Sequence, residues 1–261
     1  LKTEKAEIVK KLNNLVKQYF SFPEEEFIPG QSKVPLMACS FGWEEVSEAM
    51  ESLLTTWVTM GKKVTEFERL FADYIGMRHG LMVNSGSSAN LVALSILTNP
   101  LMKNPIKPGD EIIVPACTWS TTIYPIINVN AIPVIVDVNL GTYDIIPDEI
   151  EKAITEKTRA IMPVHLLGGS CDMKRIQEIA DQHNLYIVED TCEAYGAEYH
   201  GKKVGSFGDI STFSFFLSHH ITAIEGGMLL VNNEEMMEIA RPLRAHGWIR
   251  EMKNREKIIA E

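Results

Sequence analysis

Apolar positions recur along the 261-residue chain in two rhythms. Over residues 4–20, Ile8, Leu12, Leu15 and Val16 fall near helical spacing and predict an amphipathic helix. The stretch FPEEEFIPGQSKVP, 22–35, carries proline and glycine and predicts an extended arm. From Trp43 onward helical and strand rhythms alternate. WEEVSEAMESLL and VTEFERLFADYIG read as helices, GLMVN as a strand, SSANLVALSILT as a helix and EIIVP as a strand. STTIYPIINV reads as a helix with a proline inside, followed by IPVIVDV (strand), PDEIEKAI (helix), RAIMPVHL (strand), DMKRIQEIADQH (helix) and LYIVED (strand). ISTFSFF and GMLLVNN close the series as strands, and EEMMEIARPLRAH is a last helix.

The strand segments are short, apolar and β-branched, and helices separate most of them. That predicts an α/β fold with a largely parallel sheet covered on both faces. Ligands on such sheets bind beyond the carboxyl ends of the strands. The polar residues of interest follow those ends in the sequence.

Composition narrows the function. Hydrophobic residues make up 45% and charged residues 23%, as in ordinary globular chains, without repeats or low-complexity segments. A net charge of −10 gives no electrostatic support for nucleic-acid binding. The four cysteines, Cys39, Cys117, Cys171 and Cys192, form no CxxC pair, so a zinc ribbon or disulfide framework is not expected and a reducing, cytoplasmic setting is. No apolar run approaches the roughly 18 residues that span a bilayer, and LKTEKAEIVKKL lacks the apolar centre of a secretory signal. The chain starts at Leu1 and stops in the charged helical pattern REMKNREKIIAE, which reads as a piece of a longer chain.

Four stretches carry candidate chemistry. NSGSSAN, Asn84 to Asn90, follows a strand and opens a helix. Its free N–H groups, glycine and serine hydroxyls suit a phosphate, although an ordinary capped helix start has the same look. In VPACTWSTT, Trp119 lies just past a strand end and either stacks on a planar ligand or fills a core or interface. In YIVEDTCEAYGA, Glu189 and Asp190 end an apolar strand. A carboxylate there either pairs with a protonated ring nitrogen or caps the next turn. In FSFFLSHHITAIEGG, Ser214 can donate to the same phosphate and His219 and His220 sit on a turn. Gly226 and Gly227 are expected to let the chain fold back into the next strand. Together these supply a phosphate cradle, a stacking aromatic, a carboxylate for a pyridinium and a base, the inventory of a pyridoxal phosphate site.

The segments NSGSSANL, DEIIVPACTWSTT, PVHLLGG, VEDTCEAYGA, GDISTFSFF, EGGM and RPLRAHG resemble, in order and spacing over about residues 40–250, the DegT/DnrJ/EryC1/StrS family of vitamin B6-dependent sugar enzymes of fold type I. The resemblance implies a mostly parallel seven-stranded sheet between helices in a cofactor-binding large domain over 36–245. An N-terminal helix and arm would precede it over 1–35. The beginning of a truncated C-terminal domain would follow over 246–261. It implies that Ser87, Ser88 and Ser214 hold the phosphate of pyridoxal 5′-phosphate, that Trp119 stacks on its ring and that Asp190 binds the ring nitrogen.

The family's cofactor-bonding lysine stands five residues after the strand serine, and here that position is His219. An imidazole cannot bond the cofactor covalently but can take a proton. The His-His pair resembles the 3-dehydratase branch, which removes the C3 hydroxyl of a nucleotide-linked 4-keto-6-deoxyhexose in deoxysugar and O-antigen biosynthesis. For this chain the branch implies the amine form, pyridoxamine 5′-phosphate, joined to the sugar's C4 ketone, with His219 as the catalytic base. Two types of this branch are weighed. The type resembling CDP-4-keto-6-deoxyglucose 3-dehydratase also holds an iron–sulfur cluster. Cys192 matches one of its ligands, but WIREMKNREKIIAE supplies no further cysteine, and a two-iron cluster takes four ligands. The type resembling GDP-4-keto-6-deoxymannose 3-dehydratase has no cluster, regains its amine from glutamate and is favoured. A homodimer acting on a nucleotide-diphospho-sugar is implied, with neither nucleic acid nor membrane as partner. A sugar aminotransferase lacks its lysine here, and a non-catalytic cofactor-binding protein has no reason to keep Ser214, Asp190, Trp119 and EGG together.

Overall fold

Neighbouring residues on a β-strand point to opposite faces, so a strand apolar throughout must be covered twice. The central strands of this chain meet that condition. The computed structural model describes residues 2–23, 26–34, 41–249 and 252, which fall into two compact units, 1–65 and 66–261. The helical pattern expected over 250–261 lies outside the described residues except for Met252, as do Cys39 and parts of the arm over 22–35.

In the first unit, α1 (Lys2–Tyr19) meets α2 (Trp43–Leu54). The Asn13 amide donates to Glu51 at 3.2 Å, and the Lys17 ammonium lies 4.7 Å from the Trp43 ring centre. Glu45 accepts the Gly42 N–H at 2.7 Å, satisfying a donor at the start of α2 with a charge that suits that helix end. Helix α3 (Lys62–Ile75) starts at the end of this unit and continues into the next.

The second unit runs β1 (His79–Val83), α4 (Gly86–Leu97), β2 (Glu111–Pro115), α5 (Ser120–Asn128), β3 (Ile132–Val136), α6 (Pro147–Ala153) and β4 (Thr158–Ile161). A 3-10 turn over Leu166–Gly168 leads to α7 (Met173–His183) and β5 (Tyr186–Asp190). The two-residue strands β6 (Glu198–Tyr199) and β7 (Lys202–Lys203) come next, followed by β8 (Ile210–Ser214), β9 (Gly227–Val231) and α8 (Glu234–Arg244). Seven strands form one sheet in the order β1-β9-β8-β5-β4-β2-β3. Every pairing is parallel except those of β9, which runs antiparallel to both β1 and β8. The mostly parallel seven-stranded sheet expected from sequence is therefore present.

Its two faces feed different cores. Ile112, Val114, Val188, Leu229 and Val231 pack with Leu94, Leu97 and Met237 from α4 and α8. Ile113, Ile161 and Ile187 pack with Ile150, Ile176 and Ile179 from α6 and α7. Met228 and Leu230 join Phe71 and Ile75 of α3 in a third cluster. One strand is shorter than its hydrophobicity suggests. The run over 159–166 leaves the ladder after Ile161, because Pro163 offers no N–H; Val164 then makes an isolated bridge with Asp190.

Candidate active site

Beyond the carboxyl ends of β1, β2, β4, β5 and β8 lies a cavity of about 340 Å³. Of the six residues expected from sequence, Ser87, Trp119, Asp190, Ser214 and His219 line it, and Ser88 does not. A larger groove of about 740 Å³ at the opposite edge, around Lys107, Arg159 and Asp209, contains none of them.

Backbone geometry builds one end of the cavity. Ser85 caps α4: its hydroxyl accepts the Ser88 N–H at 3.1 Å and lies 3.2 Å from the Ser88 hydroxyl. Ser88 is thus engaged with the cap, while Ser87 is exposed at the cavity. The first backbone bond of the helix is Ala89 N–H to Ser85 O at 3.0 Å, so the N–H groups of Gly86 and Ser87 precede the ladder. Two glycines let neighbouring segments pack closely at this end. A Cβ at Gly86 would stand 2.7 Å from Ser214 Cβ and 2.9 Å from Cys192 Sγ. A Cβ at Gly227 would stand 2.2 Å from the Ser85 carbonyl oxygen. Neither Gly226 nor Gly227 has a positive φ. The expected reason for these two glycines, freedom to turn, does not hold; at Gly227 close backbone approach replaces it, while a Cβ at Gly226 would meet only the side chains of Met82 and Phe215.

Asp190, 4% exposed, accepts hydrogen bonds from three donors that hold it in place. Its Oδ2 receives Asn90 Nδ2 and Thr122 Oγ1, each at 2.9 Å, and its Oδ1 receives the Cys192 N–H at 3.2 Å. Sequence reasoning assigned Asn90 and Thr122 no role. Asn90 had a readable signal: with Gly86, Ala93 and Leu97 it shares the buried stripe of α4, where an amide has no apolar purpose.

Strand alternation turns Glu189 the other way. It is fully buried and accepts the N–H groups of Gly205, Phe207 and Gly208 at 2.8, 2.7 and 2.6 Å, and lies 3.1 Å from His165 Nε2. The Cys171 N–H points at His165 Nδ1 (3.2 Å), so Nδ1 accepts and Nε2 carries the hydrogen given to Glu189. Glu189 thus holds the loop over 205–208, while Asp190 faces the cavity and also caps the turn after β5 through the Cys192 N–H.

Trp119 immediately precedes α5 and is 70% exposed, which removes the core reading of this ring. His219 is half-buried on the turn after β8, its N–H bonded to Phe216 O at 2.9 Å, and His220 is exposed. Burial pushes the His219 imidazole below its ordinary pKa of 6.5; Glu193 pulls it up, His220 pushes it down and Asp190 pulls it up. Glu193, which also lines the cavity, accepts the Leu167 N–H at 3.2 Å.

A mostly parallel sheet with one antiparallel strand, carrying this cavity at its carboxyl edge, has the fold type I architecture of the pyridoxal phosphate-dependent aminotransferases. The chain belongs to the DegT/DnrJ/EryC1/StrS aminotransferase family, whose model matches residues 41–260. It is 41% identical over 239 residues to the lipopolysaccharide biosynthesis protein RfbH of Salmonella typhimurium, covering 90% of this chain and 55% of that one. It is 40% identical to the GDP-4-keto-6-deoxy-D-mannose 3-dehydratase of Yersinia pseudotuberculosis, covering 84% of this chain and 55% of that one. Among solved structures, GDP-4-keto-6-deoxymannose-3-dehydratase with a trapped PLP–glutamate geminal diamine superimposes with a TM-score of 0.80 at 38% identity, over 85% of this chain and 57% of that one. The chain spans about half the length of the curated relatives it matches.

Proposed function

We propose that the protein to which this chain belongs is a 3-dehydratase of a nucleotide-linked 4-keto-6-deoxyhexose, with GDP as the nucleotide and glutamate as amine donor. Pyridoxal 5′-phosphate and its amine form would be the cofactor. The observation that carries the reading is His219, a half-buried imidazole on the cavity at the position of the family's lysine. The 3-dehydratase similarity and the glutamate adduct of the structural relative support it.

The residues fit the cofactor. The start of α4 offers the N–H groups of Gly86 and Ser87 and the Ser87 hydroxyl for a phosphate, and Ser214 at the end of β8, close against Gly86, adds a second hydroxyl. Asp190, buried and fixed, offers a carboxylate to a ring nitrogen. Trp119 presents an exposed aromatic face. The bound cofactor would supply a primary amine to the sugar ketone and a ring that accepts electrons. His219 would take a proton at its imidazole and return it to the departing C3 oxygen. Ser87 and Ser214 would hold the phosphate, and Asp190 would keep the ring nitrogen charged. Ser88 would contribute through the cap it forms with Ser85.

This reading assigns residues 36–245 to the cofactor-binding domain, 1–35 to an N-terminal helix and arm, and 246–261 to the start of a further domain. A homodimer is proposed, supported by the exposed apolar Tyr124 and Ile127 on α5 beside Trp119. A cytoplasmic setting is supported by the free thiols of Cys117, Cys171 and Cys192. Among the described residues no helix is long and apolar enough to cross a membrane. The test is mass spectrometry of the full-length protein incubated with glutamate, cofactor and a GDP-linked 4-keto-6-deoxyhexose. Loss of the C3 oxygen is expected, and an aminated sugar in its place overturns the reading.

A further inference from the structure

We propose that Asn90 is a positioning residue for Asp190, held in a single orientation by a gap that Pro125 opens in helix α5. The inference rests on the cofactor reading above and extends it to a side chain that does not touch the cofactor.

Asn90 is 1% exposed, and both hydrogens and the oxygen of its amide are engaged. Nδ2 donates to Asp190 Oδ2 at 2.9 Å and to the Thr121 carbonyl at 3.2 Å, while Oδ1 accepts from Thr212 Oγ1 at 2.6 Å. An amide's two ends are easily exchanged in a density map, but here the neighbours decide between them. A backbone carbonyl can only accept and a carboxylate here serves as acceptor, so the end facing both must be the NH₂ group. In an α-helix the Thr121 carbonyl would bond the N–H of residue 125. That residue is Pro125, which has none. The proline therefore leaves an acceptor inside the protein, and the second hydrogen of Asn90 satisfies it. Asn90 thus ties α4, α5, β5 and β8 together at one point.

The second donor to Asp190 is oriented by the same logic. Thr122 Oγ1 is 2.9 Å from Asp190 Oδ2 and 2.7 Å from Thr118 Oγ1. Thr122 has one hydroxyl hydrogen and the carboxylate takes it, so Thr118 donates to Thr122. The two hydroxyls then form a donor chain that ends on Asp190. A carboxylate that loses this donor is free to turn, and once turned it no longer presents a lone pair to a ring nitrogen and holds that proton less firmly. Asn90 thereby sets the strength with which Asp190 retains a proton on a ring nitrogen.

The experiment loads full-length protein with pyridoxal 5′-phosphate labelled with ¹⁵N in the ring. The ¹⁵N shift is followed against pH, alongside cofactor affinity and thermal melting. In Asn90→Ala the ring nitrogen should lose its proton at a pH lower by about one unit or more, with affinity down about tenfold. Thr212→Val keeps every direct donor to Asp190 and the volume of the site. It should move the ring-nitrogen titration in the same direction by a smaller amount, and Thr212→Ser should restore it. A purely structural role for Asn90 would lower the melting temperature and leave the ¹⁵N titration of folded variants at the wild-type position. That result overturns the inference alone. Wild-type protein that takes up no cofactor overturns the functional reading on which it rests.

Discussion

Gly227 lies against Ser85: a Cβ on the first residue of β9 would stand 2.2 Å from the carbonyl oxygen of the residue that caps α4. Real atoms do not approach so closely, so strand and helix start can take these places only if position 227 has no side chain. Gly227→Ala is expected to destabilise by about 1–3 kcal/mol as the two backbones separate, and to weaken phosphate binding at α4. Gly226→Ala is the control, since its Cβ would meet the flexible end of Met82 at 3.1 Å. Urea denaturation of both variants, with cofactor titration, checks the contrast. Equal losses would show that the Ser85 contact is not what position 227 protects.

His219 makes the expected pH dependence specific. Burial places its pKa below 6.5, and a base must be neutral to act, so the acid limb of kcat/KM should fall below that pH. Glu193→Gln, which removes a negative charge that pulls the imidazole up, should move the limb lower. His220→Ala, which removes a neighbour that pushes it down, should move it higher. A folded-state pKa below the unfolded one also means a stability contribution present above the unfolded value and lost as pH falls. A pH–rate profile of the three proteins reads these shifts, and a limb unmoved by both substitutions would place the titrating group elsewhere.

Glu189 should matter for stability far more than its position beside Asp190 suggests. It gathers three backbone N–H groups and the His165 ring around a fully buried carboxylate. Glu189→Ala should cost about 3–5 kcal/mol, because buried donors lose their acceptor together. A guanidinium melt measures it. A cost below about 1 kcal/mol would mean that water replaces the carboxylate in that loop.

Cys192 should be a slow thiol. Burial, and then Asp190, push its pKa well above the ordinary 9.0, and its sulfur would lie 2.9 Å from a Gly86 Cβ. Alkylation with iodoacetamide at pH 8, followed by peptide mass mapping, should leave Cys192 unmodified while the protein is folded. Rapid labelling there would contradict the packing around Gly86.

The sheet was legible because strands such as Ile112–Val114 are apolar at every position, which only a doubly covered strand tolerates. The place of Asp190, Ser214 and His219 on the cavity was legible because the first two end strands and the third follows one. Asn90 and Thr122 acquire their roles from residues up to 122 positions away, which no local pattern records. The function of Gly227 was misread for the same reason: its partner, Ser85, belongs to a strand–helix junction far earlier in the chain. The early end of β4 could have been read from Pro163, whose missing N–H outweighs the apolar run around it.

Strand β9 joins β1 to the rest of the sheet, pairing His79–Val83 on one side and Ile210–Ser214 on the other. The hydroxyls of Ser87 and Ser214, more than a hundred residues apart, reach one cavity across this splice. A shortened version of the protein that ended between His219 and Gly227 would keep all six predicted contact residues in its sequence and still lack the strand that brings them within reach of a common guest.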